Sequence, residues 1–155
     1  MNITIQDLKP FCAKEDDSSL TPEKRMRFSQ PWHLAPFGAV ATDQKMIVCA
    51  PACVVQCVSI GSHLGGVGVQ LLEILNGHAE YAEEMPGFGC GTYENTPSGE
   101  GLRKINGARY KQKYIDAILG LPNVRFIVKQ EPQKDSDPLA FRFDGGCGMV
   151  MPVRI

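Results

Sequence analysis

Apolar and polar positions alternate most clearly in the last third of the chain, where they predict one helix and three strands. Apolar residues recur at helical spacing from Tyr110 to Leu119, and Gly120 is a suitable residue to end that helix. Strands are predicted over residues 124–129, 139–143 and 149–153. The Asp-Gly-Gly sequence at 144–146 predicts the turn of a hairpin between the last two strands.

The first third of the chain predicts a short helical start and then strands. Residues 3–14 are typical of a short strand followed by a short helix, with Pro10 in the first turn, where its missing N–H costs nothing. The charged stretch 15–27 predicts a loop. Residues 28–50 predict strands with turns, and 39–49 form two apolar runs around a polar turn, which predicts a hairpin.

The middle of the chain, residues 51–104, differs from both flanks in pattern and in charge. A helix is predicted over 67–75, and a loop is predicted over the stretch 85–101, which is rich in Gly and Pro. Six Glu, but no Lys, Arg or Asp, lie between Lys45 and Arg103, so this window carries −6. The remaining 16 basic and 11 acidic residues give +5. We interpret the middle as an acidic insert, with a plain solvated acidic face as the alternative.

Composition narrows the class of protein further. The 155 residues include 16 Gly and 11 Pro, which is typical of a sheet-rich fold with many turns. A net charge of −1 excludes a polycationic coating protein. Because the sequence has neither an apolar run long enough to cross a bilayer nor a secretory signal, we expect a cytoplasmic protein with no membrane partner.

The cysteines offer candidate metal chemistry. Cys49, Cys53 and Cys57 are spaced four apart, and Cys90 follows. Two interpretations are open: the cysteines bind a metal, or they are buried, inert thiols and the protein has no cofactor. The spacing favours inert thiols, because the cysteine pairs of zinc sites are usually closer in sequence. The sequence contains no recognisable catalytic constellation, so we expect a protein that is not an enzyme.

Several segments together resemble a known family. They are Ile-Asn-Gly-Ala-Arg-Tyr at 105–110, Tyr-Ile-Asp-Ala-Ile-Leu at 114–119, Val-Arg-Phe at 124–126, Pro-Leu-Ala-Phe at 138–141 and Val-Met-Pro-Val-Arg-Ile at 150–155. These are similar to the end of bacterial sliding clamps, the beta subunit of DNA polymerase III, which close with Met-Pro-Met-Arg-Leu. The stretch Ala-Thr-Asp-Gln-Lys-Met-Ile at 41–47 resembles the Ala-Thr-Asp-Gly-His-Arg-Leu hairpin of that family.

The resemblance implies an α+β, DNA-clamp-like fold. A clamp domain consists of two β-α-β-β-β units, with the helices on one side of antiparallel sheets. We therefore expect a single clamp-like domain over 1–155, with a first unit at 1–50, the Gly- and Glu-rich insert at 51–104 and a second unit at 105–155.

The resemblance also implies two binding surfaces. Clamps hold short linear peptide motifs in an apolar pocket, which would here involve Thr42, Lys45, Ile47, Met149, Met151, Pro152, Val153 and Arg154. The alternative is that the methionines and Val153 simply belong to the core. Clamps also encircle DNA through basic residues, for which the candidates are Arg103, Lys104, Arg109, Lys111 and Lys113. The alternative is that these residues form a solvated approach to the helix.

Two functional hypotheses follow. The first is a non-catalytic clamp-like binding module that is accessory to DNA replication or repair. In this hypothesis the protein could be encoded by a phage. Its partners would be DNA and replication or repair proteins that carry short linear motifs. The sequence does not decide whether the chain forms an oligomer. The second is an inhibitor or decoy from a phage or another mobile element, whose acidic insert binds a basic host protein that handles nucleic acids.

Overall fold

The computed structural model describes residues 3–34, 38–50, 83–87, 91–97 and 99–153. Four residues singled out above lie outside these ranges: Cys53, Cys57, Cys90 and Arg154. The helix predicted over 67–75 and most of the acidic insert also lie outside them.

Short helices and ten strands make up the described part of the chain. The helices are α1 (Ile5–Leu8), a 3-10 turn (Lys9–Phe11), α2 (Pro22–Arg27) and α3 (Gln112–Leu119). The strands are β1 (Trp32–Leu34), β2 (Gly38–Thr42), β3 (Met46–Ala50), β4 (Glu83–Pro86), β5 (Thr92–Asn95), β6 (Gly101–Ile105), β7 (Ala108–Lys111), β8 (Arg125–Val128), β9 (Leu139–Phe143) and β10 (Gly146–Val150). Within these described elements, no helix has the length and apolar character that crossing a membrane requires.

The described strands form two antiparallel sheets, which confirms the α+β class. The larger sheet has the order β1-β2-β3-β10-β9-β8-β4, and the smaller one has the order β5-β6-β7. In the larger sheet, β1-β2-β3 and β8-β9-β10 are consecutive meanders that meet where β3 pairs with β10. We call this pairing, in which Met46 to Cys49 lie opposite Val150 to Cys147, the central seam.

Each of these meanders follows a helix in the sequence. The second half reads β7-α3-β8-β9-β10, and the first reads α1, the 3-10 turn, α2 and β1-β2-β3. The strand predicted near residue 3 is wrong, because Thr4 precedes α1 as its N-cap and its backbone N–H donates to Asp7 Oδ2 over 2.8 Å. Pro10 lies in the first turn of the 3-10 helix, as predicted.

Apolar side chains are buried on both faces of the larger sheet. On β3, Met46, Val48 and Ala50 face a core that also holds residues of α1, the 3-10 turn and α3. The alternate residues of β3, Ile47 and Cys49, belong to a second buried cluster on the opposite face. Burial on both sides explains why β3 is continuously apolar in sequence. The helices that contribute to these cores all pack on one face.

Two predicted loops contain regular structure. Within 15–27, Thr21 accepts a hydrogen bond from Lys24 N–H over 3.3 Å and caps α2, and Pro22 begins that helix. Within 85–101 lie part of β4, where Met85 pairs with Phe126 of β8, and all of β5. Both strands lie at sheet edges, where Gly- and Pro-rich sequence is tolerated.

The ends of the predicted C-terminal elements also need correction. The helix begins at Gln112 because Tyr110 belongs to β7, where its hydroxyl donates to the carbonyl oxygen of Asp137 over 2.9 Å. The last strand is Gly146–Val150 instead of 149–153, because Gly145 (φ 109°) completes the turn with Asp144. The hairpin at 39–49 and the strands near 124–129 and 139–143 are confirmed.

Gly148 on β10 provides a test of the central seam. A Cβ at this position would meet the ring of Phe141 and would lie 2.5 Å from the carbonyl oxygen of Ile47 on β3. We expect Gly148→Ala to lower the free energy of unfolding by about 1–3 kcal/mol through overpacking, as measured by urea denaturation.

Gly120→Ala is the matched control for this substitution. Gly120 has a right-handed backbone, and the nearest atom to an added Cβ is the carbonyl oxygen of Ala117 at 3.3 Å. This control should change stability by less than about 1 kcal/mol. Equal effects of the two substitutions would contradict the packing described for β10.

Candidate functional site

The central seam brings the two segments with the predicted peptide-binding residues together. Ile47 lies directly opposite Met149 in the sheet. Beyond the end of β10, the backbone N–H of Met151 donates to the carbonyl oxygen of Lys45 over 2.8 Å. The turn that connects β2 to β3 therefore lies beside the chain that leaves β10.

Polar side chains build the turn between β2 and β3. The hydroxyl of Thr42 donates to the carbonyl oxygen of Met46 over 2.7 Å and accepts from the N–H of Gln44 over 3.0 Å. One carboxylate oxygen of Asp43 accepts from the N–H groups of Lys45 and Met46, each over 2.9 Å. Gln44 has φ 73°, the left-handed region that favours glycine. The Thr and Asp bonds hold this turn without the glycine of the clamp hairpins.

The predicted peptide-binding residues divide by exposure. Thr42, Ile47 and Met149 are buried, and the last two belong to the cluster on the sheet face opposite the helices. Four others are half-buried, and we call them the tail patch: Lys45, Met151, Pro152 and Val153. The N–H of Val153 donates to the carbonyl oxygen of Arg109 over 2.8 Å, so the tail patch continues alongside β7.

A cavity of about 570 Å³ lies next to the turn. Its lining includes Lys45 from the predicted peptide set and Lys111 and Lys113 from the predicted DNA set. The rest of the lining comes from the 3-10 turn, the loop at 14–19, the turn between β2 and β3, and α3, and it includes residues that no sequence motif marks. Lys45 Nζ lies 2.6 Å from the hydroxyl of Ser19. The two predicted surfaces are therefore adjacent.

Charged groups in this cavity are coupled to one another. Lys45 Nζ lies 3.8 Å from Asp17. The hydrogen bonds from Ser19 and the positive charges of Lys45 and Lys113 lower the pKa of Asp17. Burial, the negative charge of Asp43 and a hydrogen bond with Asp43 raise the pKa of Tyr114 above its ordinary range. The charge of Asp43 in the turn thus acts on the phenol of Tyr114 on α3.

The predicted DNA-binding residues do not share one surface. Arg103 and Lys104 are neighbours on β6, so their side chains point to opposite faces of the small sheet. Lys104 lies opposite Arg109, on the same face as Lys111. Arg103 Nε donates to Gln112 Oε1 over 3.0 Å, and Lys113 lies on α3, with its Nζ 5.2 Å from the centre of the Tyr114 ring.

Two of these basic residues pair with glutamates of the predicted acidic insert. Arg109 Nε lies 2.7 Å from Glu94 Oε2, and Lys111 Nζ lies 3.3 Å from Glu100 Oε1. Acidic residues of the insert and basic residues that follow it in the sequence therefore form ion pairs at the small sheet. This pairing reduces the positive potential that DNA phosphates would encounter on this face.

The cysteines of the described part do not assemble a metal site. Within that part, no group of three or more His, Cys, Asp or Glu side chains could hold a metal ion. Cys12, Cys49 and Cys147 are free thiols. Cys49 lies directly opposite Cys147 across the central seam, a pairing that the spacing of the sequence did not indicate. The other members of the predicted metal set lie outside the described residues.

Comparison with protein-family models, with curated proteins and with solved structures gives no match to this chain.

The buried phenol of Tyr114 makes stability depend on alkaline pH. Because the folded chain holds this proton to higher pH than the unfolded chain does, unfolding releases it above about pH 10. The free energy of unfolding should then fall with rising pH, by about 1.4 kcal/mol per pH unit for one proton. We expect Tyr114→Phe to flatten this slope in urea denaturation between about pH 10 and 11.

Tyr93→Phe is the control, because the side chain of Tyr93 is exposed on the edge strand β5. It should leave the slope unchanged. A slope that is the same in wild type and Tyr114→Phe would contradict the burial of this phenol.

Proposed function

We propose that this chain is a non-catalytic, sliding-clamp-like binding module, accessory to DNA replication or repair, that captures short linear motifs of its partner proteins. The observation that carries the proposal is the meeting of the Thr-Asp turn with the Met-Pro-Val tail at the central seam. The clamp resemblance assigns both of these segments to one peptide pocket, and here they are joined by the hydrogen bond from Met151 to Lys45.

The arrangement of elements supports the same proposal. A clamp domain contains two β-α-β-β-β units, and the second half of this chain has that order from β7 to β10. The first half has its helices before three consecutive strands. The two sets of three strands adjoin in one sheet, and the helices that enter the core pack on one face of it.

The tail patch has a chemistry suited to a short peptide. Met151, Pro152 and Val153 offer adjacent, half-buried apolar side chains. Methionine is flexible and polarisable, so it adapts to different apolar side chains of a motif. Lys45 adds a cation at one end of the patch, and its ammonium group is held by Ser19 at 2.6 Å and lies 3.8 Å from Asp17. Met151 packs against the second buried cluster, to which Ile47 and Met149 belong.

The decoy hypothesis receives less support from the described residues. It needs glutamates of the insert to be available to a basic partner. Glu94 and Glu100 instead form ion pairs with Arg109 and Lys111 of the same chain. These pairs favour the binding module, in which the small sheet is a structural extension beside the tail patch.

A peptide-binding measurement tests the proposal. A fluorescent peptide with the clamp-binding motif of a replicative polymerase should bind the wild-type chain, and Met151→Lys should weaken binding at least about tenfold, or about 1.4 kcal/mol. The reason is that a charged side chain would replace the apolar contact at the centre of the tail patch. Fluorescence anisotropy measures both dissociation constants.

Met26→Lys is the matched control, since Met26 is 80% exposed and lies on α2, outside both predicted segments. It should bind like wild type. If the wild-type chain does not bind the peptide, or if Met26→Lys weakens binding as much as Met151→Lys does, the proposed pocket is wrong.

DNA binding should respond to the ion pairs of the small sheet. The double substitution Glu94→Gln and Glu100→Gln releases Arg109 and Lys111 from their partners. We expect tighter binding to duplex DNA and a steeper dependence of log affinity on log salt, by about two, between about 50 and 200 mM salt. Anisotropy of a labelled duplex measures this slope. An unchanged slope would exclude these two residues from any DNA contact.

A further inference from the structure

Two cysteines and two arginines lie in a row across the larger sheet. Cys49 on β3 is opposite Cys147 on β10, Cys147 is opposite Arg142 on β9, and Arg142 is opposite Arg125 on β8. Directly opposed residues of antiparallel strands project to the same face. All four side chains are therefore on the face opposite the helices, where Cys49 belongs to the second buried cluster.

The two thiols have different environments. Cys49 is 1% exposed, whereas Cys147 is half-buried. A hydrogen bond with Cys49 and the positive charge of Arg142 lower the pKa of Cys147, although burial acts in the opposite direction. That hydrogen bond and burial raise the pKa of Cys49. Cys147 is thus the member of the pair that ionises first and the one that solvent reaches.

We infer that Cys147 and Cys49 form a redox-active dithiol, in which Cys147 reacts with a hydroperoxide and Cys49 then closes a disulfide across the central seam. This inference is independent of the proposed function. It rests on the register of the strands, the unequal exposure of the two thiols and the arginine beside the outer one.

The reaction proceeds in two balanced steps. The thiolate of Cys147 attacks one oxygen of hydrogen peroxide, the O–O bond breaks, and hydroxide leaves, which produces a sulfenic acid. The sulfur of Cys49 then attacks the sulfur of Cys147, the S–O bond breaks, and the proton of Cys49 leaves with the hydroxyl as water. In total, two thiols and one peroxide give one disulfide and two waters.

The backbone geometry is compatible with this bond. Opposed residues in an antiparallel pair have Cβ atoms about 4.5–5.5 Å apart, whereas a disulfide requires about 3.5–4.5 Å. An approach of about 1 Å is therefore sufficient. The bond would join β3 to β10 and so connect the two halves of the sheet covalently.

Arg142 and Arg125 keep the outer end of the row positively charged. Both line a cavity of about 680 Å³ at the end of the sheet. Positive charge beside a thiol increases its thiolate fraction, and hence its rate of reaction with peroxide. Cys12 provides the contrast: burial and the negative charge of Asp43 raise its pKa to about 12, and it is not expected to react.

Peptide mapping of the full, reduced chain after treatment with hydrogen peroxide tests the inference. We expect a mass lower by two hydrogen atoms and a cross-linked peptide pair that contains Cys49 and Cys147. Cys147→Ser should abolish this cross-link, and Cys49→Ser should leave a sulfenic acid on Cys147 that dimedone traps. Arg142→Gln should slow the formation of the cross-link about three- to tenfold.

Cys12→Ala is the matched control and should form the cross-link at the wild-type rate. The mapping of the wild-type chain requires no substitution, so it decides the matter even if a variant fails to fold. Absence of the Cys49–Cys147 peptide after oxidation, or cross-links that join other cysteines in its place, would overturn the inference. If Arg142→Gln forms the cross-link at the wild-type rate, Arg142 has no part in the reaction.

Discussion

The antiparallel pairing of β3 with β10 joins residues from the first and the last third of the chain, and the two candidate sites depend on it. It converts two three-strand meanders into one sheet, which gives α1, the 3-10 turn and α3 a common surface to pack on. It also places Lys45 beside Met151 and Cys49 opposite Cys147. Without this pairing, the buried clusters on the two faces of the sheet would be incomplete. The tail patch and the cysteine pair would not be assembled.

Local chemistry made much of the fold predictable. The hairpin at 39–49, the helix before Gly120 and the strand at 139–143 each carry their own pattern of apolar residues and turn-forming residues. The edge strands within 85–101 were not predictable in the same way, because they are stabilised by pairing with β8 and β6 and not by their own sequence. The start of β10 depended on which glycine completes the turn, and that glycine is Gly145, with φ 109°.

The candidate site was predictable only as two segments. The Thr-Asp hairpin and the Met-Pro tail are recognisable in sequence, but the burial of Met149 and the partial exposure of Met151 depend on the coverage of both sheet faces and on where β10 ends. The pairing of Arg109 with Glu94 depends on the register of the small sheet, and the approach of Tyr114 to Asp43 depends on the packing of α3. These are long-range relations, which a local pattern does not encode.

The position of β10 also constrains how the molecule can be made. Among the described strands it is synthesised last, yet it lies at the middle of the larger sheet. Until it leaves the ribosome, β3 and β9 each present an unpaired apolar edge, a surface prone to misfolding and aggregation. The two meanders can therefore join into one sheet only after β10 has been made.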